Sequence, residues 1–254
     1  LWQKLLISED IYKKSYKGLY CVGHEAFIKE SELVEGLCPE HKTKPEVLEE
    51  ENYFFRLSKY NDKIRHIIES EQLKIIPEFR RNEILALIKE GLEDVSFSRP
   101  SSKLDWGIPV PGDDTQTIYV WADALTNYLS AVGYGTGGDE FRKFWPADLH
   151  FIGKDILRFH GAIWPAILLS ADLPLPKTLF VHGHILSSGQ KMSKTVGNVI
   201  DPLEIIEKYG AEALRYFLLR EIPPVQDGDF TIEKLEARYQ ADLVNGLGNW
   251  SAGS

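Results

Sequence analysis

The sequence predicts an α/β protein: a parallel sheet covered by helices, preceded by an inserted α+β segment stapled by a metal knuckle and followed by further helices. Three observations carry this. From residue 118 onward short apolar strands are each followed by a helix-length amphipathic run, and strand–helix alternation implies parallel strands with helices on both faces. Between 21 and 45 apolar residues are sparse while Cys, His, Gly and Pro recur, so this stretch has too little core to fold on burial alone. Beyond Asp201-Pro202 apolar residues return at helical spacing as far as about 245.

Taken in order, 1–7 is a short amphipathic helix, and the basic, tyrosine-containing run 12–20 alternates as an edge strand does. After the Cys/His-rich stretch, 50–57 reads as a strand and 59–71 as a helix with Ile64, Ile67 and Ile68 on one side. Pro77 interrupts. A second helix, 80–90, groups Ile84, Leu85, Leu87 and Ile88 and ends near Gly91. These elements make 1–105 one inserted unit. The next unit, 106–200, holds the strands 118–121, 149–152 and 178–181, with helices over 122–132 and 155–170. Ligands of such sheets bind at the carboxyl ends of the strands, which brings Trp121, 153–155 and 182–184 to one rim. The last unit, 201–254, is helical over 203–208, 211–220 and 232–245.

Composition narrows the classes of function. The 254 residues are 43% hydrophobic and can bury a sizeable core. The longest apolar stretches, such as 162–169, fall far short of the roughly 20 residues that span a bilayer. A net charge of −9 excludes a general nucleic-acid coat, although a local basic site is compatible with it. Only Cys21 and Cys38 are present, as suits a reducing compartment, the cytoplasm or an organelle matrix. The single methionine is Met192, so Leu1 is not expected to be a translation start and the chain reads as a fragment or processed product.

The most specific motif is Gly189-Gln190-Lys191-Met192-Ser193-Lys194-Thr195-Val196-Gly197-Asn198. Two ammonium groups around a hydroxyl residue on a mobile loop suit a polyphosphate whose charge grows as pyrophosphate leaves. By composition alone a solvated basic turn is the favoured reading, and it is the pattern of residues that reverses this. Trp121, Ala124 and Tyr128 fall on one helical face, and Ile156, Phe159 and His160 on another. Such stripes serve as core, or as an aromatic-walled pocket with a polar tip, which suits an unbranched thioether. Asp155, after Gly153 and Lys154, is placed to accept ribose hydroxyls or to cap a helix. His182 and His184 flank Gly183 and could form a metal pair. Cys21-Val22-Gly23-His24 and Cys38-Pro39-Glu40-His41 are two knuckles, four nitrogen or sulfur ligands for tetrahedral zinc.

These motifs resemble the methionyl branch of the class I aminoacyl-tRNA synthetases. Residues 191–195 are similar to that class's Lys-Met-Ser-Lys-Ser signature, with Thr195 in place of the last serine and the hydroxyl retained. Residues 197–202 and 213–218 also resemble that class, whereas Trp106-Gly107-Ile108-Pro109-Val110-Pro111-Gly112-Asp113, Tyr119-Val120-Trp121-Ala122-Asp123-Ala124-Leu125 and Phe151-Ile152-Gly153-Lys154-Asp155-Ile156 with Phe159-His160 resemble the methionyl branch. The resemblance covers nearly the whole chain. It implies an incomplete Rossmann-like sheet with an inserted zinc-knuckle subdomain at 21–41. It implies a methionine pocket of Trp121, Ala124, Tyr128, Ile156, Phe159 and His160, and an ATP site of Gly153, Asp155, Gly183, Lys191, Ser193, Lys194 and Thr195. Lys194, supported by Lys191, would stabilise the leaving pyrophosphate. ATP with magnesium, one structural zinc on Cys21, His24, Cys38 and His41, and the acceptor arm of the methionine tRNA follow as cofactors and partners. Knuckles of this family commonly begin Cys-x-x-Cys, and His24 departs from that. The class's other signature, His-x-Gly-His, has no counterpart here, since His182-Gly183-His184 has different spacing and position. The chain by itself is therefore expected to be inactive, and a non-catalytic tRNA- and zinc-binding piece, or a related synthetase for another amino acid, are the competing expectations.

Overall fold

The computed structural model describes all of residues 1–254 except 24, 25, 40, 41, 104, 105, 194–196, 253 and 254. Among the described residues it is an α/β fold of four small sheets. The amino-terminal helix Trp2–Ile7 leads into the long strand Ile11–Cys21, which pairs antiparallel with Glu46–Phe55 on one side and Ala26–Ile28 on the other; Val95–Ser96 completes this sheet. Helices Asn61–Glu69 and Glu78–Glu90 follow the sheet, burying Ile64, Ile67 and Ile68 from the first and Ile84 and Ile88 from the second, the spacings expected of amphipathic helices.

The parallel sheet has the order Lys74–Ile76, Thr178–His182, His150–Gly153. Its first strand was not anticipated. The strand is only three residues long, between the turn at Glu71 and Pro77, too short for a period to show, yet Leu73 and Ile75 are buried. The expected strand 118–121 is also revised: Asp113–Ile118 lies in an antiparallel sheet between Ser98–Pro100 and Pro109–Val110, and Val120–Ser130 is helix. The apolar run 118–121 fits either structure by itself. What decides it is the i, i+3, i+7 burial of Ala122, Leu125 and Leu129 along the helix.

After His150–Gly153 the chain turns through Lys154–Ile156, widens into a π-helical segment at Phe159–Ile163 and continues as the buried helix Trp164–Ser170. Gly161 permits the widening to pack tightly, because a Cβ there would lie 3.0 Å from Ile84. Helices Pro202–Tyr209, Ala211–Glu221 and Ile232–Arg238 build a separate core of Ile205, Leu214, Phe217 and Leu235, joined by Phe230 from the strand before the last of them. The strand Gly228–Phe230 between them runs parallel to Ile185–Ser187, which pairs in turn with Gln190–Lys191. The buried carboxylate of Asp10 fastens the amino-terminal elements to the main core, accepting from Lys59 at 2.7 Å, from Ser170 at 2.6 Å and from the Tyr60 hydroxyl. Among the described residues no helix is long and apolar enough to cross a membrane.

Candidate functional site: an aromatic wall beside a polar cleft

Trp121, Ala124 and Tyr128 occupy successive turns of helix Val120–Ser130, while Phe159 and His160 open the π-helical segment. The two faces meet. The Trp121 and Phe159 rings stack with centroids 3.8 Å apart and planes 12° from parallel, and His160 stands edge-on to Trp121 at 6.5 Å. Tyr128 and His160 are joined by a hydrogen bond of 2.8 Å between the phenol oxygen and Nε2. The His160 Nδ1 lies 3.0 Å from the carbonyl of Ile156, one turn earlier. A carbonyl can only accept, so Nδ1 carries a proton, and in a neutral ring Nε2 then accepts from the Tyr128 hydroxyl. Burial holds the His160 imidazole below its usual value against the opposing Ile156 hydrogen bond, and pushes the Tyr128 phenol up. Both groups are therefore neutral near pH 7. Ile156 is half-buried in the turn ahead of this pair, and Ala124 sits half-buried between Trp121 and Tyr128.

His150 lies behind the wall, its ring 4.2 Å from that of Tyr128, and burial together with the neighbouring His160 lowers it to about 4. Sequence patterning missed His150 because it opens a strand instead of sharing a helical face. Trp164, fully buried and 6.0 Å from Tyr128, lies four residues after His160, a spacing that could have found it.

The polar cleft, about 390 Å³, is lined by Gly153, Asp155, His182, Gly183, His184, Ile185, Lys191 and Met192 at the carboxyl ends of the parallel strands. Asp155 is exposed on the turn that also carries Ile156, so adjacent residues in sequence face the cleft and brace the aromatic wall. His184 Nε2 lies 3.6 Å from the Asp155 carboxylate. The His182 Nδ1–H is spent on the carbonyl of Gly183 at 2.8 Å. Gly183 is confined by a backbone, since an added Cβ would lie 2.1 Å from the Gln226 carbonyl oxygen. Two carboxylates that sequence patterning did not single out flank the cleft. Asp227 accepts from Lys154 at 2.6 Å and from the His184 N–H at 2.9 Å, and Asp229 accepts from the Gly189 N–H at 2.7 Å.

Lys191 is exposed on the strand leading out of this hairpin. Met192 packs against the carboxyl-terminal core, and the Ser193 N–H donates to Asn198 at 2.8 Å, folding the start of the signature loop back on itself. Lys194 and Thr195 lie outside the described residues, as do His24 and His41. Cys21 and Cys38 are both fully buried in one small cluster with Ile28, 17 residues apart in sequence. These two thiols are half of the donor set expected for zinc, and among the described residues no group of three or more His, Cys, Asp or Glu side chains is gathered to hold a metal.

A family model described as "tRNA synthetases class I (M)" matches residues 41–252. The chain belongs to this family. The methionine–tRNA ligase of Brucella suis biovar 1 is 51% identical over 253 residues, covering 98% of this chain and 49% of that protein. That of Caldanaerobacter subterraneus subsp. tengcongensis is 52% identical over 250 residues, covering 98% of this chain and 39% of that protein. The chain thus spans about half, or less, of the length of these curated relatives. Among solved structures, the Mycobacterium tuberculosis methionyl-tRNA synthetase in complex with methionyl-adenylate superposes with a TM-score of 0.90 at 47% identity, over 98% of this chain and 49% of that one. The family membership read from the motifs is confirmed.

Proposed function

We propose that the protein this chain belongs to is a methionine–tRNA ligase, which activates methionine with ATP to methionyl-adenylate and passes the methionyl group to its tRNA. The observation that carries this reading is the junction at Asp155 and Ile156. One turn joins an apolar, aromatic wall with a neutral Tyr128–His160 tip to an open polar cleft. An amino acid and a nucleotide bound in these two places would meet where an acyl-phosphate forms, and holding them there supplies much of the catalysis.

In this reading Trp121, Ala124, Tyr128, Ile156, Phe159 and His160 surround the methionine side chain. The stacked Trp121 and Phe159 would part to admit it. Sulfur packs favourably against ring edges, and a wall of neutral groups costs a thioether no unmatched charge. Gly153, Asp155 and Gly183 hold adenosine, with the Asp155 carboxylate accepting ribose hydroxyls. Lys191, Ser193, Lys194 and Thr195 attend the phosphates, Lys194 chiefly as the leaving pyrophosphate gains charge. Magnesium enters with the ATP phosphates. The parallel strands are the second half of a Rossmann-like sheet, with 1–105 as connective insert, 106–200 as catalytic half and 201–254 as stem-contact helices. Zinc on Cys21, His24, Cys38 and His41 staples the insert, which with the carboxyl-terminal helices faces the tRNA acceptor arm in the cytoplasm.

Lys194→Ala in the enzyme at full length tests the assignment. Pre-steady-state adenylate formation is expected to slow by about 100-fold or more, the usual effect of removing one preorganised charge, with methionine affinity retained. Unchanged activation contradicts it.

A further inference from the structure

We propose that Asp227 is a positioning residue for the nucleotide, fixing the two walls of the polar cleft at the spacing that adenosine needs. The proposal deepens the reading of this cleft as the ATP site and rests on it. The walls belong to different strands: Lys154 and Asp155 follow His150–Gly153, whereas Gly183 and His184 follow Thr178–His182. The ladder between these two strands ends at the pair Gly153 and His182, at their carboxyl ends. Asp227 bridges the gap beyond the ladder with one oxygen for each side. Its Oδ2 pairs with the Lys154 ammonium at 2.6 Å, and its Oδ1 accepts the His184 N–H at 2.9 Å. These two bonds hold its carboxyl below the usual carboxylate range, so the clamp is charged at neutral pH.

The clamp is itself held in place. The Gly228 N–H donates to the carbonyl of His184 at 3.0 Å, and the strand Gly228–Phe230 runs on in parallel with Ile185–Ser187. Asp229 secures the turn of the signature hairpin through the Gly189 N–H at 2.7 Å. Phe230 is buried in the carboxyl-terminal core, edge-on to Phe217 at 5.1 Å. One short segment therefore anchors in the helical core, secures the hairpin that carries Lys191 and fixes both walls of the cleft. Asp155 and His184, 3.6 Å apart across the cleft, are the groups whose spacing it sets. His184 Nε2, buried and without a hydrogen-bond partner, is left to meet a ligand in the cleft.

The test is steady-state methionine-dependent pyrophosphate exchange by the full-length enzyme, wild type against Asp227→Asn, Asp227→Ala and Lys154→Met, with thermal unfolding of each. Asparagine keeps an oxygen for the His184 N–H and loses the charge that Lys154 needs, whereas alanine loses both. The expected order in the KM for ATP is wild type, then Lys154→Met and Asp227→Asn, then Asp227→Ala at about tenfold above wild type. The KM for methionine stays within about twofold, because the aromatic wall does not touch Asp227. An ATP KM unmoved in Asp227→Ala overturns the proposal. So does a parallel rise in both KM values with a lowered unfolding temperature, the mark of general loosening. A wild-type enzyme silent with methionine but folded overturns the ATP-site reading itself, and is distinguished by needing no variant.

Discussion

Replacing Gly183 with alanine adds one methyl group where the structure has no room for it. The new Cβ would lie 2.1 Å from the Gln226 carbonyl oxygen, 2.2 Å from its carbon and 2.5 Å from the Asp227 nitrogen. All three are backbone atoms, so no side-chain rotation relieves the overlap. Ordinary contact begins at 3.4 Å, and the segment must recede by roughly 1.3 Å. That shift carries the Gly228–His184 bond, now 3.0 Å, and the His184–Asp227 bond, now 2.9 Å, beyond hydrogen-bonding range. Two hydrogen bonds at about 1 kcal/mol each give a loss of about 2 kcal/mol, which for a chain of this size lowers the unfolding temperature by about 4–8 °C. Scanning calorimetry on wild type and variant measures the shift. A midpoint within about 1 °C of wild type would refute the close approach, because the expected loss is several times larger.

Two further outcomes follow from the aromatic wall. Tyr128→Phe leaves the buried His160 Nε2 without its donor, which is expected to cost about 1–3 kcal/mol in urea unfolding and to raise the KM for methionine more than that for ATP; an unchanged midpoint speaks against the bond. The second outcome concerns pH. His150 titrates at about 4 in the fold against 6.5 when free. The unfolded chain therefore takes up a proton first, and this stabilisation is complete above about pH 6.5 and is lost as pH falls toward 4. The shift corresponds to about 3 kcal/mol. His150→Asn should flatten that part of the stability–pH curve, measured as urea midpoints between about pH 7 and pH 4.5; equal slopes in wild type and variant would contradict the burial of a neutral ring.

How far the sequence could be read depended on the range of the interactions. The strands at His150–Gly153 and Thr178–His182 were legible because each is a short apolar run ending in a turn, and the helices because their apolar residues recur at 3.6. Trp121, Tyr128, Phe159 and His160 showed themselves as stripes, although spacing alone left core and pocket undecided. The run at 118–121 misled, since an apolar tetrapeptide suits strand or helix, and the buried stripe further along decides. Lys74–Ile76 was too short to carry a period. Asp227 had no local signal: its partners His184 and Lys154 are 43 and 73 residues away. A carboxylate between Gln226 and Gly228 looks like any solvated turn until the two strand ends are placed beside it.

The central claim, that the aromatic wall and the polar cleft beside it serve to activate methionine, is tested most directly by methionine-dependent exchange of labelled pyrophosphate into ATP. The chain is assayed alone and then together with a segment bearing the His-x-Gly-His signature of the class. The account predicts no exchange alone and exchange restored by the added segment, with methionine but not leucine or cysteine. Silence in both assays from folded protein, or exchange indifferent to the amino acid, would contradict it.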